Sequence, residues 1–135
     1  MFKYPMRVRD YECDLQGVVN NSVYQNYFEH ARHEFLLDNN IDFSDLVDQG
    51  IHLMVTRVEL DFKRSLRPKN DFYITVEVAK VSRIQYAFVQ HIYLRENDQL
   101  MVSSKAIGLA VNLKGRPMAS PELDRLLNVT VSGFD

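Results

Sequence analysis

The chain has one cysteine, Cys13, in 135 residues, which excludes a disulfide within it and fits a reducing compartment. No stretch approaches the roughly 20 apolar residues of a membrane span, and the opening MFKYPMRVRD lacks the apolar run of a secretory leader. Cytoplasmic location without a membrane partner is the expectation. Neither charge sign dominates, with 16 Lys and Arg against 18 Asp and Glu. A net charge of −2 gives no overall attraction to polyanions, so no nucleic-acid partner is expected. No Ser/Gly/Pro-rich linker, low-complexity tract or internal repeat divides the chain, which reads as one domain over residues 1–135. It contains no GxGxxG, P-loop or HExxH pattern. His30 and His33 have the spacing of helix-borne ligands, but no third ligand accompanies them. They are expected at the surface, and no metal or other cofactor is expected. Cys13 has no nearby Ser/Cys-His-Asp order to make it a nucleophile, and a lone thiol is usually a small buried residue.

Apolar residues at 46% and charged residues at 25% are the proportions of a soluble globular protein. At this length a core forms without disulfide or metal support. Tyr4 to Glu12 suits an exposed first strand that ends in a turn at Asp14 and Gly17. From Ser22 to about Asn39, Tyr24, Phe28, Ala31 and Phe35 recur at helical steps beside Tyr27, with Asn21 or Ser22 as N-cap. Glu29, Arg32 and His33 fall on other faces. A short helix is expected from Phe43 to Gln49, with Asp42 before it and Gly50 after it. Alternation then marks strands through Met54 to Phe62, Phe72 to Val78, Gln85 to Arg95 and Gln99 to Leu113. Ser120-Pro121 opens a last short helix through Leu123, Leu126 and Leu127. One strand, a long helix and four more strands lack the crossover helices of a parallel sheet. The expected class is therefore α+β, an antiparallel sheet curled around one long helix.

Chemistry concentrates between Asp10 and Arg32, in DYECDLQGVVNNSVYQNYFEHAR. A carboxylate, a Gly turn and an Asn-Asn-Ser cap stand directly ahead of an aromatic-rich helix. A helix start has unpaired N–H groups and the positive end of the macrodipole, which can polarise a carbonyl. Taken alone, an Asp before a Gly turn is more often a turn or cap residue than a base. The order Asp14, Gly17, Val18-Val19-Asn20-Asn21, Tyr24 and Glu29-x-Ala31-Arg32 resembles the signature of hotdog-fold acyl-CoA thioesterases. These are the 4-hydroxybenzoyl-CoA thioesterase and acyl-CoA thioester hydrolase type, and the likeness extends from about Tyr4 to Leu113.

That resemblance implies a hotdog fold and hydrolysis of an acyl-CoA to a free acid and coenzyme A. Asp14 would be general base or nucleophile, the Asn21 amide the oxyanion donor and Gly17 the turn that permits the geometry. The Asn21 side chain has an equal claim to capping the helix. Val19, Asn20 and Tyr24 would border the substrate, and Tyr27 could join Tyr24 along an acyl pocket, although both fit a simple core stripe. Some relatives carry the catalytic carboxylate on the helix, which makes Glu29 the alternative base. Its ordinary role is an ion pair with Arg32 or His33. Arg57, Lys63, Arg64, Arg67 and Lys69 could receive coenzyme A phosphates, Arg64 and Arg67 foremost, or serve only as solvated charge. Relatives join two chains, so a homodimer or homotetramer is implied. Two positions depart from the family: Val18 stands where many relatives have His, and Ser65 where they have Pro. Acyl carrier protein is the competing partner, and a non-catalytic acyl-CoA-binding protein is the non-enzyme alternative. A dehydratase of the same fold pairs a loop His with a helix carboxylate, and Val18 argues against it.

Overall fold

Asn20 opens the main helix. Its backbone is extended (φ −63°, ψ 140°) and its side-chain oxygen accepts the Ser22 N–H, as a short polar side chain does for a free helix-start donor. Helix α1 follows over Asn21–Asp38. The cap lies one residue earlier than the sequence suggests because the Asn20 N–H is itself held by the Glu12 carbonyl at 3.0 Å. That bond keeps Asn20 extended. Tyr24, Tyr27, Phe28, Ala31, Phe35 and Leu36 form the buried face of α1. Each large side chain among them contributes roughly 1.5–3 kcal/mol by leaving water.

The computed structural model describes residues 1–130. Strand β1 covers Lys3–Arg7 and gives way to a 3-10 turn at Asp10–Glu12, so it is shorter than the sequence implies. After α1 come α2 (Phe43–Asp48), β2 (His52–Phe62), β3 (Asp71–Lys80), β4 (Gln85–Leu94), β5 (Leu100–Val111), β6 (Pro117–Met118) and α3 (Pro121–Thr130). Asp42 caps α2 by accepting the Ser44 N–H, and Ser120 Oγ accepts the Leu123 N–H at the start of α3. The short β6 has too few residues to show alternation and is absent from the strands expected.

All strand pairs are antiparallel, in the order β1-β3-β4-β5-β2 with β6 on β5. Phe72, Ile74, Val76 and Val78 of β3 and Ile92 of β4 share one core with the buried face of α1. This is the hotdog architecture. Consecutive strands β2 and β3 are not neighbours. β2 lies beside β5, and the 63–70 connection passes the start of α1 before β3 begins. Between Val55 and Arg57 the β2–β5 register shifts. A Cβ on Gly108 would sit 2.8 Å from the Met54 carbonyl oxygen there, so glycine permits the close approach of the two backbones. β2 has β5 as its one sheet partner among the described residues, and Met54, Val55, Val58 and Phe62 on it are exposed.

Candidate active site

Residues 13–19 form a tight hairpin closed by a bridge between Cys13 and Val19. The Asp14 N–H donates to the Val18 carbonyl at 2.9 Å, and the Gly17 N–H to the Asp14 carbonyl at 3.0 Å. Asp14 Oδ1 accepts the Gln16 N–H at 2.8 Å, which aims the carboxylate. Its other oxygen has no partner among the described residues. Gly17 has φ +76° with nothing within 4 Å of a hypothetical Cβ. Glycine is needed here for conformation and not for space. Asp14 is exposed on the single chain, as are Leu15 and Gln16 beside it.

The first residue of α1 supplies the complementary group. Asn21 N–H has no acceptor among the described residues, as the first turn of a helix requires, and it carries the positive end of an 18-residue helix. The capping role expected of the Asn21 or Ser22 side chain falls to Asn20, whose Oδ1 accepts from Ser22 N at 3.1 Å and Ser22 Oγ at 3.0 Å. Asn20, expected beside substrate, thus spends its side-chain oxygen on the helix. A carboxylate oxygen and a helix-start N–H, both unengaged among the described residues, therefore stand seven residues apart on a hydrogen-bonded hairpin-to-helix junction. Such a pair can activate a nucleophile and stabilise an oxyanion.

Two tyrosines strap the surrounding loops to α1, a role the sequence reading did not assign. Tyr24, 2% exposed, accepts the Leu66 N–H on its hydroxyl at 2.9 Å, while the Leu66 carbonyl accepts the Val19 N–H at 2.9 Å. Val19 is also buried, so Val19 and Tyr24 form the floor under the 63–70 loop. Tyr27 donates its hydroxyl to Glu12 at 2.8 Å, and burial followed by that carboxylate raises the phenol's pKa well above its ordinary value. Glu12 also accepts the Arg9 N–H. The approach to the Asp14 hairpin is thereby tied to the helix.

The 63–70 loop carries the expected basic residues to the start of α1. Arg64 and Arg67 are exposed and have no carboxylate within ion-pair distance among the described residues. Arg57 and Lys63 are compensated by Glu59 at 3.0 Å and Asp61 at 4.0 Å.

Glu29 lies two turns along α1, and the ion pair expected with Arg32 or His33 does not form. Arg32 instead turns inward, donating from Nη1 to Gln90 Oε1 at 2.9 Å, and burial lowers its pKa from the ordinary guanidinium value. His33 is half-buried, its ring 4.6 Å from that of Phe43, which corrects its expected surface position. Glu29, Arg32 and His33 border a cavity of about 280 Å³ whose other walls include Leu36, Leu53 and Phe88. The inward turn of Arg32 had a sequence signal. Gln90 stands at an inward position of β4 between Phe88 and Ile92, where an apolar residue is the norm. The described residues hold no cluster of His, Cys, Asp and Glu suited to a metal ion, and no described helix is long and apolar enough to cross a membrane.

Residues 8–127 match the model of the thioesterase-like superfamily. Over 116 residues, 86% of this chain, the sequence is 33% identical to the acyl-acyl carrier protein thioesterase ATL3 of Arabidopsis thaliana chloroplasts. The match covers 61% of that relative's length. Identity to the acyl-CoA thioester hydrolase YbgC of Escherichia coli is 25% over 122 residues, covering 90% of this chain and 91% of YbgC. In structure, the 1,4-dihydroxy-2-naphthoyl-CoA thioesterase Slr0204 of Synechocystis superposes with a TM-score of 0.85 at 16% identity, covering 92% of each chain.

Proposed function

Because the chain belongs to the thioesterase-like superfamily, we propose that it hydrolyses an acyl-CoA to a free acid and coenzyme A, with residues 1–135 acting as one catalytic domain. The observation that carries this reading is the junction of the Asp14 hairpin with the unengaged Asn21 N–H. The thioester carbonyl oxygen accepts from that N–H, and Gly17 supports the turn that aims Asp14. Asp14 acts by one of two routes. As general base it takes a proton from water while the water oxygen bonds to the carbonyl carbon. As nucleophile its own oxygen bonds to that carbon, giving a mixed anhydride that water then cleaves. In both, the carbon–sulfur bond breaks and the thiolate leaves with a proton. Arg64 and Arg67 bind the coenzyme A phosphates, while Val19, Asn20 and Tyr24 hold the loop and helix start that face the substrate.

The working unit is a homo-oligomer, at least a dimer. β2 is an 11-residue edge strand with exposed apolar side chains, the kind of edge that proteins cover. A second copy pairing there would shelter the exposed hairpin from water. A single free cysteine fits a cytoplasmic setting.

Thiol release from short, medium, long and aromatic acyl-CoAs by wild type and Asp14→Asn tests the reading. Asn keeps the Oδ1 acceptor for Gln16 and removes the charge, so turnover is expected to fall about 10²- to 10⁴-fold. Near-normal turnover in a folded variant refutes the role of Asp14, and Glu29→Gln then tests the alternative base. Single turnover in ¹⁸O-water tests the routes: the general base delivers the label to the released acid, whereas an anhydride cleaved by water at the Asp14 carboxyl carbon leaves the label on Asp14 and releases unlabelled acid.

Acyl carrier protein is the second reading for the thiol carrier, favoured by the 33% identity to a plant enzyme named for that substrate. Comparing one acyl group on both carriers decides between them. Tight acyl-CoA binding with no thiol release, unaffected by Asp14→Asn, would instead identify a binding protein.

A further inference from the structure

The cavity beside α1 is walled mostly by apolar side chains, yet Glu29, Arg32 and His33 also border it. Arg32 carries five N–H donors, of which one bond, to Gln90, is made among the described residues. Gln90 is fully buried and is fixed in turn by donating from Nε2 to the Phe28 carbonyl at 2.9 Å. The guanidinium is therefore anchored toward the core. The donors of Arg32 left over beside apolar walls are unfilled polar capacity, which is unfavourable, and a ligand that brings an oxygen relieves it.

Resting on the thioesterase reading, we propose that this cavity receives the far end of the acyl group and selects one bearing a hydroxyl there, which accepts from Arg32 and donates to Glu29. A bare methyl end would strip water from the guanidinium and return nothing. A carboxylate end would gain Arg32 and be repelled by Glu29 on the same wall. A hydroxyl, donor and acceptor at once, satisfies both. In this proposal the acyl chain runs along α1 from the Asn21 amide, past Ser22 and Gln25 on the same flank, to Glu29 at the cavity. Eight residues of helix span about 12 Å. At ~1.25 Å advance per bond of a zigzag chain of ~1.5 Å bonds, that is a group of roughly eight to ten carbons.

The test uses pantetheine thioethers, which resist hydrolysis and carry the arm shared by coenzyme A and acyl carrier protein. Octyl and 8-hydroxyoctyl, and decyl and 10-hydroxydecyl, are titrated by calorimetry into wild type and Arg32→Met, with folding checked by circular dichroism. The hydroxy-to-plain affinity ratio is expected to drop about tenfold or more in the variant for at least one length. Arg32→Lys keeps charge but loses the planar fork. It serves if the Met variant does not fold, with a drop of about threefold or more expected. An unchanged ratio, or no binding of any thioether by wild type, overturns the proposal. Thiol release from decanoyl-CoA and 10-hydroxydecanoyl-CoA by the same wild-type preparation keeps the two readings apart. Release with an unchanged ratio removes the hydroxyl selection alone, whereas a shifted ratio without release removes hydrolysis alone.

Discussion

Tyr24→Phe tests whether the helix positions the basic loop. The change removes one oxygen and leaves the ring, so packing against Tyr27 and Phe62, with centroids 6.1 and 5.5 Å away, is retained. What it takes away is the acceptor of the Leu66 N–H at 2.9 Å, at a residue that is 0% exposed. Water cannot replace that acceptor without opening the loop. An unsatisfied buried donor costs about 1–3 kcal/mol, a large part of the roughly 5–15 kcal/mol that holds a domain folded. With about 3–5 °C per kcal/mol at this chain length, the melting temperature should fall by roughly 3–15 °C. Tyr73→Phe provides the contrast, because its hydroxyl donates to Asp98 at 2.7 Å at the surface, where loss should stay within about 0.5 kcal/mol.

The assay is thermal unfolding by circular dichroism at one fixed protomer concentration, since an oligomer's stability depends on it, together with kcat and KM on an acyl-CoA. Loosening the 63–70 loop should raise KM more than it lowers kcat, because the loop carries Arg64 and Arg67 while Asp14 is held by the hairpin's own bonds to Val18 and Gly17. A Tyr24→Phe variant that melts within 1 °C of wild type, by the resolution expected from about 0.3 kcal/mol, and keeps its KM would refute the strap.

Gly17→Ala should destabilise by roughly 1–2 kcal/mol, because φ +76° is left-handed and nothing crowds the new methyl. Its loss in kcat should exceed that of an equally destabilising change in the core, read by comparing turnover at matched stability. Arg64→Ala with Arg67→Ala should raise KM for acyl-CoA about threefold to thirtyfold, from roughly 0.3–1 kcal/mol per exposed charge contact. The difference should shrink with added salt, and a salt-independent KM would discard the phosphate role. Burial lowers the pKa of both His33, where Glu29 partly opposes it, and His91. Between these lowered values and the ordinary 6.5 the unfolded chain binds more protons, so their contribution is present above about pH 6.5 and is lost as pH falls through the folded values. Urea midpoints at pH 7.5 and 5.5 should differ by less in His91→Gln than in wild type, and an equal difference would refute the assignment.

Periodicity carried most of the fold because α1 and the strands bury continuous faces: Tyr24, Phe28, Ala31 and Phe35 on the helix, Phe72, Ile74, Val76 and Val78 on β3. The short gaps that the sequence leaves between Val78 and Gln85 and between Arg95 and Gln99 match the β3–β4 and β4–β5 hairpins. Pairing of β2 with β5 was not legible, because register between distant strands depends on the 63–70 crossover and on the close approach at Gly108, which leave no local pattern. The N-cap was misplaced for a related reason. Asn20, Asn21 and Ser22 have similar capping chemistry, and the choice among them is made by a long-range bond from Asn20 N–H to Glu12.

The candidate site divides along the same line. Asp14, Gly17 and the helix start are contiguous, so their order alone foretold a turn feeding an N-terminus. Residues that support the site act through tertiary bonds and read locally as something else: Tyr24 and Tyr27 as a core stripe, Arg32 as the surface partner of Glu29. Arg32 reaches inward because Gln90 waits at a core position of β4, and only the pairing of a polar residue in one apolar stripe with a cation on another could have revealed it. Polar residues at core parity are therefore the positions to read first in a sequence of this kind. In an apolar interior each must find a partner, and the partner found for Gln90 is the cation that gives this cavity its chemical character.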